Sequence, residues 1–163
     1  MINYICLFEN ISQLPNFRSN TSVVTCFIEY EDTILVLKRS SKEDQPFIWG
    51  TPGGEIDPKQ DVNEESALIR EVFEETGINV NVGGLCFVAN RYARIPGCDY
   101  TLYIYYLKIN EKPEIILSEE HTEAKWEHKS TFKSLDLLKS QDEAFDIIFG
   151  ERICNISKLR YFA

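Results

Sequence analysis

The chain has 163 residues, 44% hydrophobic and 12% aromatic, which suits one globular domain with a sizeable core and leaves little room for a second. Its formal net charge of −9 argues against a nucleic-acid polymer held on a basic surface. A phosphate ligand would therefore need a metal counter-charge.

The chain opens with MINYICLFEN, which has no basic n-region and too short an apolar run for a signal peptide. Nowhere do about 18 consecutive apolar residues occur, so the reading predicts a soluble cytoplasmic protein without a membrane partner. From Ser22 the pattern VVTCFIEY, an acidic turn at Glu31 and Asp32, and TILVLKR predict a two-stranded hairpin. The next apolar cluster, PFIWGTPGG, ends at a glycine pair. Between Asp61 and Thr76 the period becomes helical, about four turns long, and Gly77 is placed to stop the helix in the left-handed conformation. Strands are predicted again at INVNV, GLCFVANRY and YTLYIYYLKI, the last two separated by the turn RIPGCD. SQDEAFDIIFG reads as a final helix, with Ser140 and Glu143 spaced as a capping box and Gly150 as its stop. The five cysteines, Cys6, Cys26, Cys86, Cys98 and Cys154, show no C-x-x-C spacing and read as reduced thiols. Strands, a central helix, more strands and a last helix give a mixed α/β fold.

On the helix, Leu68, Val72, Thr76, Ile69, Val62 and Phe73 share an arc of roughly 140°, the predicted core face. Glu75, Glu64, Glu71 and Glu74 fill the adjoining arc, with Arg70 beyond them. Glu71, Glu74 and Glu75 stand at i, i+3 and i+4, a spacing that sets like charges against one another unless a cation offsets them. The preceding WGTPGGEID adds glycines that let the backbone approach a ligand. Carboxylate and carbonyl oxygens are what Mg²⁺ prefers.

The stretch GGEIDPKQDVNEESALIREVFEETGI resembles the Nudix box, G-x5-E-x7-R-E-U-x-E-E-x-G-U, where U is aliphatic. Its second half matches fully at Arg70, Glu71, Val72, Glu74, Glu75, Gly77 and Ile78. In the first half Gly54 lies sixteen residues before Arg70 where the pattern has fourteen, so the loop is two residues longer. Val62 then stands at the pattern's first glutamate, a mainly structural position, with Asp61 and Glu64 nearby. The resemblance runs from about Ser22 to Trp126.

It implies an α/β/α sandwich around a mixed sheet, in a single domain spanning residues 1–163 with its core at about 22–150. It also implies Mg²⁺-dependent hydrolysis of a pyrophosphate linkage in a nucleoside diphosphate derivative, such as a nucleoside triphosphate or dinucleotide, with Mn²⁺ as a substitute. The metal ligands it implies are the Gly53 carbonyl, Glu71, Glu74, Glu75 and Glu120, with Glu71, Glu74 and Glu120 counted as catalytic. Glu120 is chosen for its place six residues before Trp126, and Glu119 and Glu123 are its rivals. Arg70 would orient the acids. His121 could shuttle a proton, although a lone loop histidine is more often surface. Arg39, Arg91 and Tyr92 are the candidate substrate-binding residues, while Tyr103, Tyr105 and Trp49 read as packing. The markers of ADP-ribose, NADH and coenzyme A branches are absent, and Tyr92 falls short of the dinucleoside-polyphosphate tyrosine. The partner expected is a small-molecule nucleotide bound by a monomer or homodimer. The alternative is a Nudix-fold module that binds without catalysis.

Overall fold

Strand β1 (Ser19–Tyr30) carries a run of six buried residues from Val24 to Glu29, because both faces of the sheet are covered. Val24, Cys26 and Ile28 point to one side, while Phe27 points to the other. The computed structural model describes residues 6–150, so Cys154 and the first five residues of the opening segment lie outside the described residues. The remaining strands are β2 (Thr33–Arg39), β3 (Trp49–Gly50), β4 (Gly53–Glu55), β5 (Leu85–Ile95), β6 (Cys98–Ile109) and β7 (His121–His128). Helix α1 spans Glu64–Thr76, α2 Lys129–Phe132 and α3 Gln141–Phe149.

Among the described residues the strands form one mixed seven-stranded sheet with the path β3-β2-β1-β6-β5, to which β4 adds on β1 and β7 on β2. The β1–β6 pair is parallel, and the others are antiparallel. One face packs Ala67, Leu68 and Val72 of α1 against Val24, Cys26, Leu35 and Tyr105. The opposite face packs Phe132 of α2 and Ala144, Phe145 and Ile148 of α3 against Phe27, Ile34, Val36 and Ile104. Phe132 and Phe145 stack there with ring centroids 4.7 Å apart. The architecture is the α/β/α sandwich with a mixed sheet. Among the described residues no helix is long and apolar enough to cross a membrane.

Local departures from the sequence reading have physical causes. The expected hairpin pairs only Glu29 with Ile34 and Tyr30 with Thr33, because β1 turns its edges to β6 and β4 while β2 runs along β7. INVNV joins no strand; Ile78 and Val80 pack on the α1 side, and Val82–Gly84 close a 3₁₀ turn. The β5–β6 turn contains only Pro96 and Gly97, with Cys98 and Asp99 already in β6. Ser140 has a left-handed backbone (φ 73°) and no side-chain capping bond. Glu143 instead accepts the Leu7 N–H at 2.8 Å. Tyr105 lies in the core and Trp49 packs against the α3-side core, as expected of them.

Candidate active site

Helix α1 starts later than its periodicity suggests. Asn63 caps it, accepting the Ser66 N–H at 2.8 Å while Ser66 Oγ accepts the Asn63 N–H at 3.0 Å. Val62 is therefore outside the helix and 91% exposed, and Phe73 is 51% exposed, so neither belongs to the core face predicted for them. The buried face is Ala67, Leu68, Val72, Glu75 and Thr76, turned toward the acids. The cause is the glycine pair on β4. A Cβ on Gly54 would lie 2.4 Å from the Glu71 carboxyl carbon, and one on Gly53 would lie 2.1 Å from the Val24 carbonyl oxygen. Only glycines let this backbone lie so close to the acidic side of the helix.

Two charge clusters grow from that contact. In the first, Arg70 donates through Nε and Nη2 to the two oxygens of Asp61 at 2.9 and 2.8 Å. Its Nη2 also reaches the Glu55 carbonyl at 3.2 Å, and its Nη1 reaches Glu71 at 2.8 Å and Glu74 at 3.1 Å. Five acceptor contacts match the five N–H donors of a guanidinium. The Asp61 side chain is 2% exposed, and its hydrogen bond with Arg70 holds its carboxyl below the usual range. Asp61 also accepts the Asp57 N–H at 2.8 Å, which closes the lengthened loop. The partner of Arg70 is thus Asp61, nine residues upstream, a role that the sequence reading left unassigned.

The second cluster joins α1 to the start of β7. The Ile116 N–H donates to the Thr76 carbonyl at 2.9 Å, fastening the connection from β6 to the end of α1. The Ser40 N–H then holds the Glu120 carbonyl at 2.7 Å. Glu75, Glu120 and His121 thereby present one donor atom each, all within 4.8 Å of one another. Glu75 is buried and accepts the Gly53 N–H at 2.9 Å. Burial first, and then Glu71 and Glu120, push its carboxyl well above the usual range, against the opposing Gly53 hydrogen bond. Burial likewise raises Glu71, with Arg70 opposing. Glu74 and Glu120 are more open to solvent.

His121 is not a surface histidine. Its side chain is 7% exposed, Nε2 lies 3.7 Å from Glu75 Oε1, and buried Nδ1 has no hydrogen-bond partner among the described residues. Burial, with Arg39 nearby, pushes its pKa down to about 4. Crowded hard oxygens with raised pKa values, beside an imidazole with an unpartnered nitrogen, are a donor set that suits a divalent cation.

The remaining candidates are placed differently. Arg39 donates to the Asp44 carbonyl at 2.8 Å and to Glu43 at 3.1 Å, and its charge is felt by Glu75 and His121. Arg91 pairs across β6 with Leu102 and Tyr92 with Thr101, so the two face opposite sides of the sheet. Arg91 bonds the Asn90 carbonyl and Glu9, while Tyr92 packs edge-on against Phe17. Glu119 pairs with Lys42 at 3.2 Å and Glu123 with Lys38 at 2.8 Å. Behind the glycine pair, buried Thr51 donates to Gln141 at 2.9 Å and lies 2.6 Å from the Thr25 hydroxyl, tying α3 to this segment. A cleft of about 590 Å³ opens beside Glu55, Asp61 and Glu64, and another of about 490 Å³ lies beside Leu117, Thr122 and Trp126.

Residues 19–146 match the family model of the NUDIX domain. The chain is 36% identical over 75 residues to the CTP pyrophosphohydrolase of Escherichia coli (strain K12), an alignment covering 46% of this chain and 53% of that protein. It is 32% identical over 95 residues to the diphosphoinositol polyphosphate phosphohydrolase 2 of Mus musculus, covering 58% of this chain and 48% of that one. The chain thus spans about half the length of these curated relatives. Among solved structures, the NUDIX domain of Shewanella oneidensis NrtR, complexed with ADP ribose, shares the fold with a TM-score of 0.70 at 18% identity, covering 81% of this chain and 88% of that one. The solution structure of the E. coli ORF135 protein shares it with a TM-score of 0.68 at 24% identity, covering 84% and 94%.

Proposed function

The chain belongs to the Nudix family, and from that premise we propose that it hydrolyses a pyrophosphate linkage in a nucleoside diphosphate derivative, with Mg²⁺ or Mn²⁺ as cofactor. One observation carries the reading. Carboxylates 45 residues apart in sequence, Glu75 and Glu120, converge beside Glu71, at a site where burial and mutual repulsion hold Glu71 and Glu75 above the usual carboxyl range. A packed fold gains nothing from such crowding unless a cation joins it.

Glu71, Glu74, Glu75 and Glu120, with the Gly53 carbonyl, would hold the ion. When bound, it supplies charge neutralisation at the phosphoryl oxygens and a lowered pKa for attacking water. The protein's part is to keep the site rigid. Arg70, saturated by its acceptors, fixes the carboxylates and does not bind substrate. Glu120, open to solvent, orients the attacking water and takes its proton. Arg39, whose charge is felt by Glu75 and His121, steadies a substrate phosphate. Tyr92 lies on the α1 side and would meet the nucleoside, whereas Arg91 faces the other side and would assist only from the rim. On this reading the chain acts in the cytoplasm as a single catalytic domain, monomer or homodimer, on a small molecule and on no nucleic-acid polymer.

The relatives direct the substrate panel. CTP and the other nucleoside triphosphates come first, then dinucleoside polyphosphates, ADP-ribose and a diphosphoinositol polyphosphate, each with Mg²⁺ or Mn²⁺. Release of phosphate, pyrophosphate or nucleoside monophosphate from at least one is the expected result. Binding without turnover across the panel would replace the enzyme by a recognition module.

A further inference from the structure

A bulge in β7 determines what His121 can touch. Lys38 pairs with Glu123, but the next residue of β2, Arg39, pairs with His121, so Thr122 is the extra residue. In a regular strand His121 and Glu123 would share a face, and Glu123 lies on the α3 side, opposite Lys38. The bulge turns His121 to the other side, toward Glu75. Bulges recur beside active sites, where they re-aim a side chain.

The ring so delivered is 7% exposed. Its Nε2 lies 3.7 Å from Glu75 Oε1, too far for a hydrogen bond, and Nδ1 is buried without a partner among the described residues. A buried imidazole normally satisfies both nitrogens; here Nδ1 has no partner among the described residues, and Nε2 faces Glu75 without a hydrogen bond. The donor atoms of all three residues lie within 4.8 Å of one another. Two ligands about 2.1 Å from a common ion are at most about 4.2 Å apart and three spaced equally around it about 3.6 Å apart, so a contraction of up to about 1 Å would let all three bind it.

We infer that His121 supplies a nitrogen ligand to the divalent cation held by Glu75 and Glu120, so that the site favours a first-row transition metal over magnesium. The inference rests on the metal-dependent reading above and deepens it. Carboxylate and carbonyl oxygens alone suit Mg²⁺, whereas imidazole adds affinity for transition metals and little for Mg²⁺.

Mn²⁺ alone, added to the full-length protein, is the probe. Pulsed electron paramagnetic resonance of the Mn²⁺-loaded wild type should show coupling to a directly bound nitrogen, and His121→Gln should abolish it. Mn²⁺ affinity, measured by titration, should fall about tenfold or more in His121→Gln while Mg²⁺ affinity changes less than about threefold. If wild type binds Mn²⁺ stoichiometrically without nitrogen coupling, the inference is overturned, whether or not the variant folds. Glu75→Gln and Glu120→Gln separate this failure from that of the parent reading. Loss of Mn²⁺ binding in both, without nitrogen coupling in wild type, removes only His121. Unchanged Mn²⁺ binding in both removes the metal site itself.

Discussion

Helix α1 carries two charge clusters that differ in one respect. Around Arg70 every N–H has an acceptor and Asp61, Glu71 and Glu74 share its charge, so that cluster is complete within the protein. Around Glu75 the balance fails: carboxylates crowd together, and His121 is buried with an unpartnered nitrogen. Both are held against the same glycine pair. The first behaves as scaffold because Arg70 has no donor left over for a ligand, although the second oxygens of Glu71 and Glu74 stay available to an ion. The second is poised for a ligand because its groups satisfy one another poorly, and in a dense interior that imbalance is costly unless something enters.

The contrast can be broken from the scaffold side. Arg70→Met leaves Asp61 buried without its cation, and breaking a buried pair in this way costs about 3 kcal/mol. A large drop in melting temperature is therefore expected in metal-free protein. Unchanged melting would mean that the lengthened loop does not depend on Arg70.

Removing one charge from the incomplete cluster should do the opposite. Glu75→Gln should leave metal-free stability equal or higher, because it removes crowding, yet lower kcat at least about 100-fold, close to 2.7 kcal/mol of barrier. Glu74→Gln and Glu120→Gln should lose comparable activity, the latter with little change in KM if it acts on the attacking water. Retained turnover in Glu75→Gln on a good substrate would strip the cluster of its catalytic meaning.

Metal should separate the clusters thermodynamically. An ion bound only by the folded state at a hundred times its Kd stabilises by about 2.7 kcal/mol, and calorimetric melting with Mn²⁺ or Mg²⁺ should show it. In Arg70→Met the gain should shrink, since Glu71 and Glu74 lose their anchor. A melting curve indifferent to saturating metal would leave the cluster's crowding unexplained.

Acid should act on the scaffold through Asp61. Its folded pKa lies below the ordinary value of 3.8, so its contribution is complete above that value and is lost as pH falls through the lower folded one. The stability difference between wild type and Asp61→Asn, from denaturant melts between pH 6 and pH 2, should therefore narrow below about pH 4. A constant gap would show that Asp61 acts by shape rather than charge. The smallest effects belong to Glu119 and Glu123, which pair with Lys42 and Lys38. Either changed to Gln should keep turnover within about threefold, under 1 kcal/mol.

Much of the scaffold was legible in the sequence because its signals are local. Helical periodicity located α1, Gly77 its end, and the spacing of Glu71, Glu74 and Glu75 their common side. An arc drawn from hydrophobicity places Phe73 in the core because it cannot register that two glycines offer the acidic side a closer surface. The burial of His121 is invisible in the sequence because it depends on a bulge set by how β2 and β7 pair, across more than eighty residues. Asp61 went unassigned because its role depends on the course of a lengthened loop, which no periodic pattern encodes.

The parallel pairing of β1 with β6 also sets the order in which this protein can be made. Seventy-nine residues separate Val24 from Tyr103, yet they sit side by side at the centre of the sheet. Helix α1, the glycine pair and the β1–β2 tip are all synthesised before β6. Until β6 arrives, β1 has only β4 and a two-residue tip to pair with, and the surface on which α1 packs lacks Tyr105 and Leu107. Closing so long a loop costs entropy before it returns contacts, which places folding with the slower, non-local topologies. A nascent chain paused before Cys98 should hold α1 against an unfinished wall and stay sensitive to protease, becoming resistant only once Ile109 has emerged.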